Sequence, residues 1–227
     1  MGFIIFLVIV GVGAYFWLSQ DSSEVKQRGK NRSSEQKLAL RYFLNDGCLQ
    51  KKPSDQAYDE LVASMIAEKK LTDPQTALDK LGVDESEVTE VKPIYLDGYV
   101  FGDKNTYAKV GNDGLWRSSK YQASWIFCSA THVYLYQYTF NTDEDGKKVV
   151  TEEYFYKDIT NFSASSDTVE TPYWDKKQKK IVLKNVDSTR FRITVPGNPL
   201  YCIMAQTDEN EAAVKGLKTK LREKKTN

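Results

Sequence analysis

The sequence predicts an α+β body carried behind a single membrane-spanning N-terminal helix. In that body, short helices come first, then a curved antiparallel sheet or barrel, then a closing C-terminal helix. Three observations point there. Gly2 to Leu18 contains no charged residue. From Ser34 to Val91 apolar residues recur at helical spacing, whereas from Ile94 onward the period is two. Aromatics make up 12% of the chain, with 14 tyrosines, and such side chains suit a pleated, half-buried surface. The expected divisions are an anchor over 1–18, a basic polar linker over 19–33, a helical segment over 34–91 and an antiparallel β domain over 92–227.

A helix over Gly2–Leu18 rises roughly 25 Å at about 1.5 Å per residue, close to the ~30 Å hydrocarbon core of a bilayer. Tyr15 and Trp17 stand where an interfacial aromatic belt would lie. No basic n-region or small-x-small site marks a cleaved signal, and Phe6 replaces the Ser or Thr that a myristoylation signal needs. Lys26, Arg28, Lys30 and Arg32 follow the apolar stretch and no basic residue precedes it. By the positive-inside rule the N-terminus is expected outside a cell membrane crossed once, with the body in the cytoplasm. Cys48, Cys128 and Cys202 are scattered and odd in number, which suits reduced thiols.

The linker, Ser19 to Ser34, has too little apolar surface to pack. Ser33-x-x-Gln36 is a capping box ahead of Leu38, Leu40, Phe43 and Leu44, with Gly47 as the stop. Ser54 caps a second helix bearing Tyr58, Leu61, Val62, Met65 and Ile66 on one face. Asp73-Pro74 opens a third that ends at Gly82, and Asp84-x-x-Glu87 opens one further turn. Each is too short to be stable alone, so the expectation is a covering helical layer. Strands are expected over Ile94–Phe101, Thr106–Val110 and Leu115–Ser118, the last two joined by a Gly111–Gly114 turn. Further strands follow over Tyr121–Cys128, from Val133 to Phe140, over Val149–Tyr156 and over Ile159–Ser163. A final hairpin is read with Asp187-Ser188 as its turn and Phe191, Ile193 and Val195 inward. Asn198-Pro199 reads as a helix start, and Asp208-x-x-Glu211 restarts the helix that carries Val214, Leu217 and Leu221.

From about Ser118 to Lys225 the chain resembles the bacterial pleckstrin-homology-like domains; 19–117 resembles no family. The resemblance is carried by the strand Thr131-His132-Val133-Tyr134-Leu135-Tyr136, the segment Phe155-Tyr156-Lys157-Asp158-Ile159-Thr160, the hairpin Lys180 to Val195 and the closing helix. It implies an adaptor fold that binds partners or self-assembles, with no catalytic residues to carry over.

The residues themselves offer little chemistry. His132 is the only histidine, and its place on a strand beside Tyr134 and Tyr136 suits a packed, hydrogen-bonded ring. None of the cysteines forms a CxxC pair, so zinc is disfavoured. Phosphate-loop and nucleophile-elbow spacings are absent, and Asp143-Glu144-Asp145-Gly146 lacks the later ligands of a calcium loop. No catalytic residue, cofactor or metal is therefore expected. A net charge of +1 gives no case for nucleic acid. Lys26, Arg28, Lys30 and Arg32, together with Lys176, Lys177, Lys179 and Lys180, are candidate contacts for anionic lipid. Lys215 to Lys225 forms a further basic run, and all three runs also suit a solvated surface. The expected partners are the bilayer, through the N-terminal helix, and a protein partner or a second copy. The reading is a membrane-tethered, non-catalytic binding or scaffold module. A membrane-held hydrolase with a carboxylate site and an anionic-lipid sensor stay open beside it.

Overall fold

The computed structural model describes residues 20–45, 52–197, 199–205 and 207–226. They form α1 (Ser23–Arg28), α2 (Ser34–Leu44), α3 (Asp55–Glu68), α4 (Pro74–Leu81) and a 3-10 turn (Glu85–Glu87), followed by nine strands and a last helix. The strands are β1 (Ile94–Tyr99), β2 (Ala108–Val110), β3 (Trp116–Ser118), β4 (Lys120–Cys128), β5 (His132–Asn141), β6 (Lys147–Phe155), β7 (Asn161–Asp175), β8 (Lys180–Thr194) and β9 (Leu200–Ile203). The last helix is α5 (Asp208–Thr226). In place of one curved sheet there are two, ordered β1-β4-β5-β6 and β3-β2-β7-β8-β9.

The expected fold class needs a second correction. The anchor expected over 1–18 lies outside the described residues, and among those described no helix is long and apolar enough to cross a membrane. The longest, α5, carries charge along its length (Asp208, Glu211, Lys215, Lys218, Arg222, Lys225). The architecture of the described residues is thus an α+β body of two sheets and five helices. The single-pass class and the cell-membrane placement drawn from the anchor do not stand.

The central strands of the four-stranded sheet, β4 and β5, are buried on both faces, while the edge strand β6 turns one face to solvent. On one, Trp125 pairs with Tyr136 and Phe127 with Tyr134, and α4 covers them with Ala77 and Leu78. Beside them α2 and α3 lay Ala39, Leu40, Phe43 and Tyr58 over Ala123 and Phe140. On the other face Ile126, Val133 and Leu135 meet Phe162, Phe191 and Ile193 of the second sheet, with Val214, Leu217 and Leu221 of α5 closing the end. The helical layer forms through the expected caps. Ser33 and Gln36 make the reciprocal capping box (3.2 and 3.0 Å), Ser54 accepts from the Ala57 amide, and Gly82 ends α4 at φ 70°. That left-handed conformation favours glycine over any residue with a Cβ.

Three segments differ from expectation. Within 19–33, Ser23–Arg28 is helical and seats Val25 at 2% exposure against the helical core. One apolar side chain at the right phase is enough, because α2 supplies the surface. The long hairpin turns at 176–179 rather than at Asp187-Ser188. Asp175 accepts the Lys177 and Gln178 amides, Lys179 takes a left-handed φ of 49°, and Asp187 and Ser188 pair mid-ladder with Thr168 and Asp167. Beyond Pro199 the chain continues as β9, pairing Leu200 with Ile193 and Ile203 with Arg190; Asn198 lies outside the described residues, as does Gly47.

Polar contacts dock the helical layer at the β5–β6 loop. Arg32 pairs with Glu144 at 3.2 Å, and the Gln36 amide donates to Asp145 at 2.7 Å. Between them Asp143 is only 6% exposed, and its Oδ1 has no hydrogen-bond partner. Burial pushes this carboxyl up to about 6, and Glu144 adds to the rise while Ser119 and Arg32 oppose it.

Trp125 is 8% exposed and its indole N–H donates to the Leu71 carbonyl at 2.8 Å. Trp125→Ala is expected to cost about 3–5 kcal/mol in chemical denaturation of the full chain; a loss below ~1 kcal/mol would mean the ring is dispensable to the seam. Asp143 gives a pH signature. The folded state binds its proton more tightly than the unfolded chain, so stability falls as pH rises from about 4 through about 6. Asp143→Asn is expected to flatten that limb of the melting-temperature profile and to stabilise the fold at pH 7.5. The gain is at most about 3 kcal/mol, from a shift of roughly two units at ~1.4 kcal/mol each.

Candidate functional site

The strand β7 opens with Asn161-Phe162-Ser163-Ala164-Ser165-Ser166, and its inward phase shrinks along the strand. Phe162 is buried opposite Ile193, but next on that face comes Ala164 opposite Phe191, then Ser166 opposite Thr189. Small side chains there leave a cavity of about 330 Å³ against α5, floored by Met204 and Val214 and rimmed by Glu211, Lys215 and Lys218. A second cavity of about 340 Å³ continues it past Lys218, between Asn161–Ser163 and Leu221, Arg222 and Lys225. Together they make one groove running between β7 and α5.

The groove lies beside an open strand edge. Among the described residues, β7 pairs with β8 along its whole length, but on its other side it pairs only at Tyr173, with Ala108 of β2. Residues 161–168 therefore present an unpaired row of backbone donors and acceptors, the usual template for an added strand. In α5, Val214, Leu217 and Leu221 face the core, which turns Lys215, Lys218, Arg222 and Lys225 toward β7 along one face at i, i+3, i+7 and i+10. Lys220 and Lys224 project elsewhere and pair with Glu90, which precedes β1.

A second constellation looks more chemical and is structural. Arg117 of β3 is 5% exposed; its Nε and Nη2 donate to Asp59 at 2.7 Å each, and Nη1 and Nη2 donate to Asp113 at 3.0 and 2.7 Å. Hydrogen bonds to Asp59 and Asp113 hold the guanidinium pKa far above its usual range, and Arg117 in turn holds Asp113 down to about 2. Tyr99 donates to Asp59 and Tyr42 to Asp55. Lys109 lies 3.7 Å over the Tyr42 ring and donates to the Tyr42 carbonyl; burial lowers it to about 8 while Asp55 opposes the fall. Arg117 faces both Asp59 and Asp113, so the cluster ties α3 to the β2–β3 hairpin.

The residues singled out from the sequence are dispersed. Arg28 pairs with Glu24 and lies 5.6 Å from the Tyr107 ring, while Arg32 is held by Glu144. Lys26 contacts Gln20, and Lys30 follows α1 on the surface. Lys176, Lys177 and Lys179 lie in the β7–β8 turn and Lys180 begins β8, with Lys176 close enough to Lys109 to help depress it. His132 is a packed ring, 4.0 Å from Phe155, hydrogen-bonded to Thr131 at 2.7 Å and 3.4 Å from Glu153. No group of three metal-ligating side chains occurs among the described residues. What the sequence reading missed is the open edge: the small residues 163–168 look like loop until β8 is paired beside them. The basic face of α5 was visible, but not what it faces.

Cys128 and Cys202 are buried free thiols, and burial raises both, Cys202 to about 12. Native-state reaction with a thiol reagent, mapped by mass, is expected to leave both unlabelled until denaturant unfolds the chain. Rapid native labelling of either would overturn the assignment of inert packing thiols.

No family model, no curated protein and no solved structure was found to match this chain.

Proposed function

We propose that this chain is a non-catalytic binding module of pleckstrin-homology-like type, and that it takes an extended segment of a partner protein into the groove between β7 and α5. The observation that carries this reading is the unpaired edge of β7 beside a groove of peptide dimensions. Adding a strand to such an edge gives affinity through main-chain hydrogen bonds and specificity through pockets for alternate side chains. The order of elements supports the pleckstrin-homology-like part. Four strands β1, β4, β5 and β6 form one antiparallel sheet, β7, β8 and β9 continue as an antiparallel run in the other, and one helix closes the end. The paired state of the Arg117 cluster and the buried thiols support a role without chemistry.

Selection of random peptides on the immobilised full chain, followed by hydrogen-exchange mass spectrometry of the complex, tests the reading. Bound peptides are expected to protect amides between 161 and 168. Ala164→Leu, which fills existing space, is expected to leave the melting temperature within a few degrees and to weaken binding at least about tenfold. Peptides that protect other surfaces, or that bind Ala164→Leu as tightly as the parent, would overturn it.

A further inference from the structure

We infer that the segment taken up along β7 is acidic over the half of the groove next to Asn161, its carboxylates meeting the basic face of α5. It deepens the peptide-binding proposal above and depends on it. From Lys215 to Lys225 α5 rises about 15 Å, the length of four to five strand residues at about 3.3 Å each. Successive side chains of an added strand alternate between faces. Two or three carboxylates at every second position therefore match the spacing of Lys215, Lys218 and Lys225.

The other half of the groove has the opposite sign. Glu170 stands on β7 beyond Ser166, in the phase of Ala164 and Ser166, and Glu211 rims the cavity there. Acidic side chains are disfavoured at that end. The small inward residues Ala164 and Ser166 leave room for an apolar side chain of the ligand over Met204 and Val214. The occupant is thus an extended peptide, acidic at one end and uncharged or basic at the other, with an apolar residue near its middle. The lysines of α5 outside this face cannot supply the same attraction, because Lys220 and Lys224 are already paired with Glu90.

The test uses the full chain and ten-residue probe peptides in which Glu alternates with Val over one half and Ser with Val over the other, made in both orders. Controls replace Glu by Lys, or N-methylate alternate backbone amides. One acidic order is expected to bind at least about tenfold tighter than its Lys counterpart at low salt, since each exposed ion pair is worth a few-fold. That preference should shrink as salt rises, because exposed charges are screened. N-methylation should abolish binding, and the Lys215→Gln, Lys218→Gln, Lys225→Gln triple variant should lose the charge preference while keeping its melting temperature. If the Lys peptide binds equally and protects 161–168, the acidic assignment fails and the peptide groove stands. If an acidic peptide binds without protecting 161–168, or if N-methylation leaves its affinity intact, the groove itself is misassigned. No binding by either acidic order at millimolar concentration overturns the inference. So does protection of 161–168 that appears with rising protein concentration alone, which would make a second copy the occupant.

Discussion

The central strands of the four-stranded sheet, β4 and β5, have no face to spare for water, and most of the architecture follows from that. An antiparallel sheet commonly buries one side and wets the other. Here β4 and β5 carry aromatic and aliphatic side chains on both, Trp125, Phe127, Tyr134 and Tyr136 on one face and Ile126, Val133 and Leu135 on the other. Two covers are therefore obligatory. The helices α2, α3 and α4 supply the first, and the second sheet with α5 supplies the other. None of the short helices would persist without that surface, so the N-terminal layer and the sheet define one another.

Apolar cover alone would leave the register between layers loose, and polar contacts sharpen it. Tyr58 of α3 is fully buried, stacks on Tyr42 at 4.4 Å, and donates its hydroxyl to the Ser118 carbonyl at 2.7 Å beside Thr142. Arg117 then binds Asp59 from the same helix. A slip of α3 along the sheet would strand a buried hydroxyl and a nearly buried guanidinium, and leaving such groups unpaired is costly. Asp143 marks the opposite choice, a buried carboxyl kept with one oxygen unsatisfied.

Much of this was legible in the residues. The capping box at Ser33, the Pro74 and Gly82 boundaries, the Gly111–Gly114 turn and the phase of Phe191, Ile193 and Val195 all act through local chemistry, and local chemistry can be read in order along a chain. The errors fall where a distant partner decides. Asp187-Ser188 resembles a turn, yet Thr168 and Asp167 lie opposite and keep it extended. Pro199 resembles a helix start, yet β8 offers an edge and β9 takes it. The linker looked too poor in apolar surface to pack, yet α2 provides a seat for its Val25. The groove was hidden for the same reason: the basic face of α5 can be computed from helical phase, but the bare strand opposite it exists only in the folded molecule. The anchor over 1–18 lies outside the described residues, and nothing in the described architecture takes its place.

Glu90 sits on the short connection between the helical layer and β1, and it grips Lys220 and Lys224 from outside the groove. It works as a strut. In the proposed binding mode the helix that forms one wall of the slot is braced from behind by these ion pairs before any ligand arrives. The ordering entropy of association then falls on the incoming chain rather than on the wall that receives it. Segments that share an encounter rate would be sorted by how long they stay. In that binding mode such a wall would act as a gauge, measuring a passing strand against a braced gap.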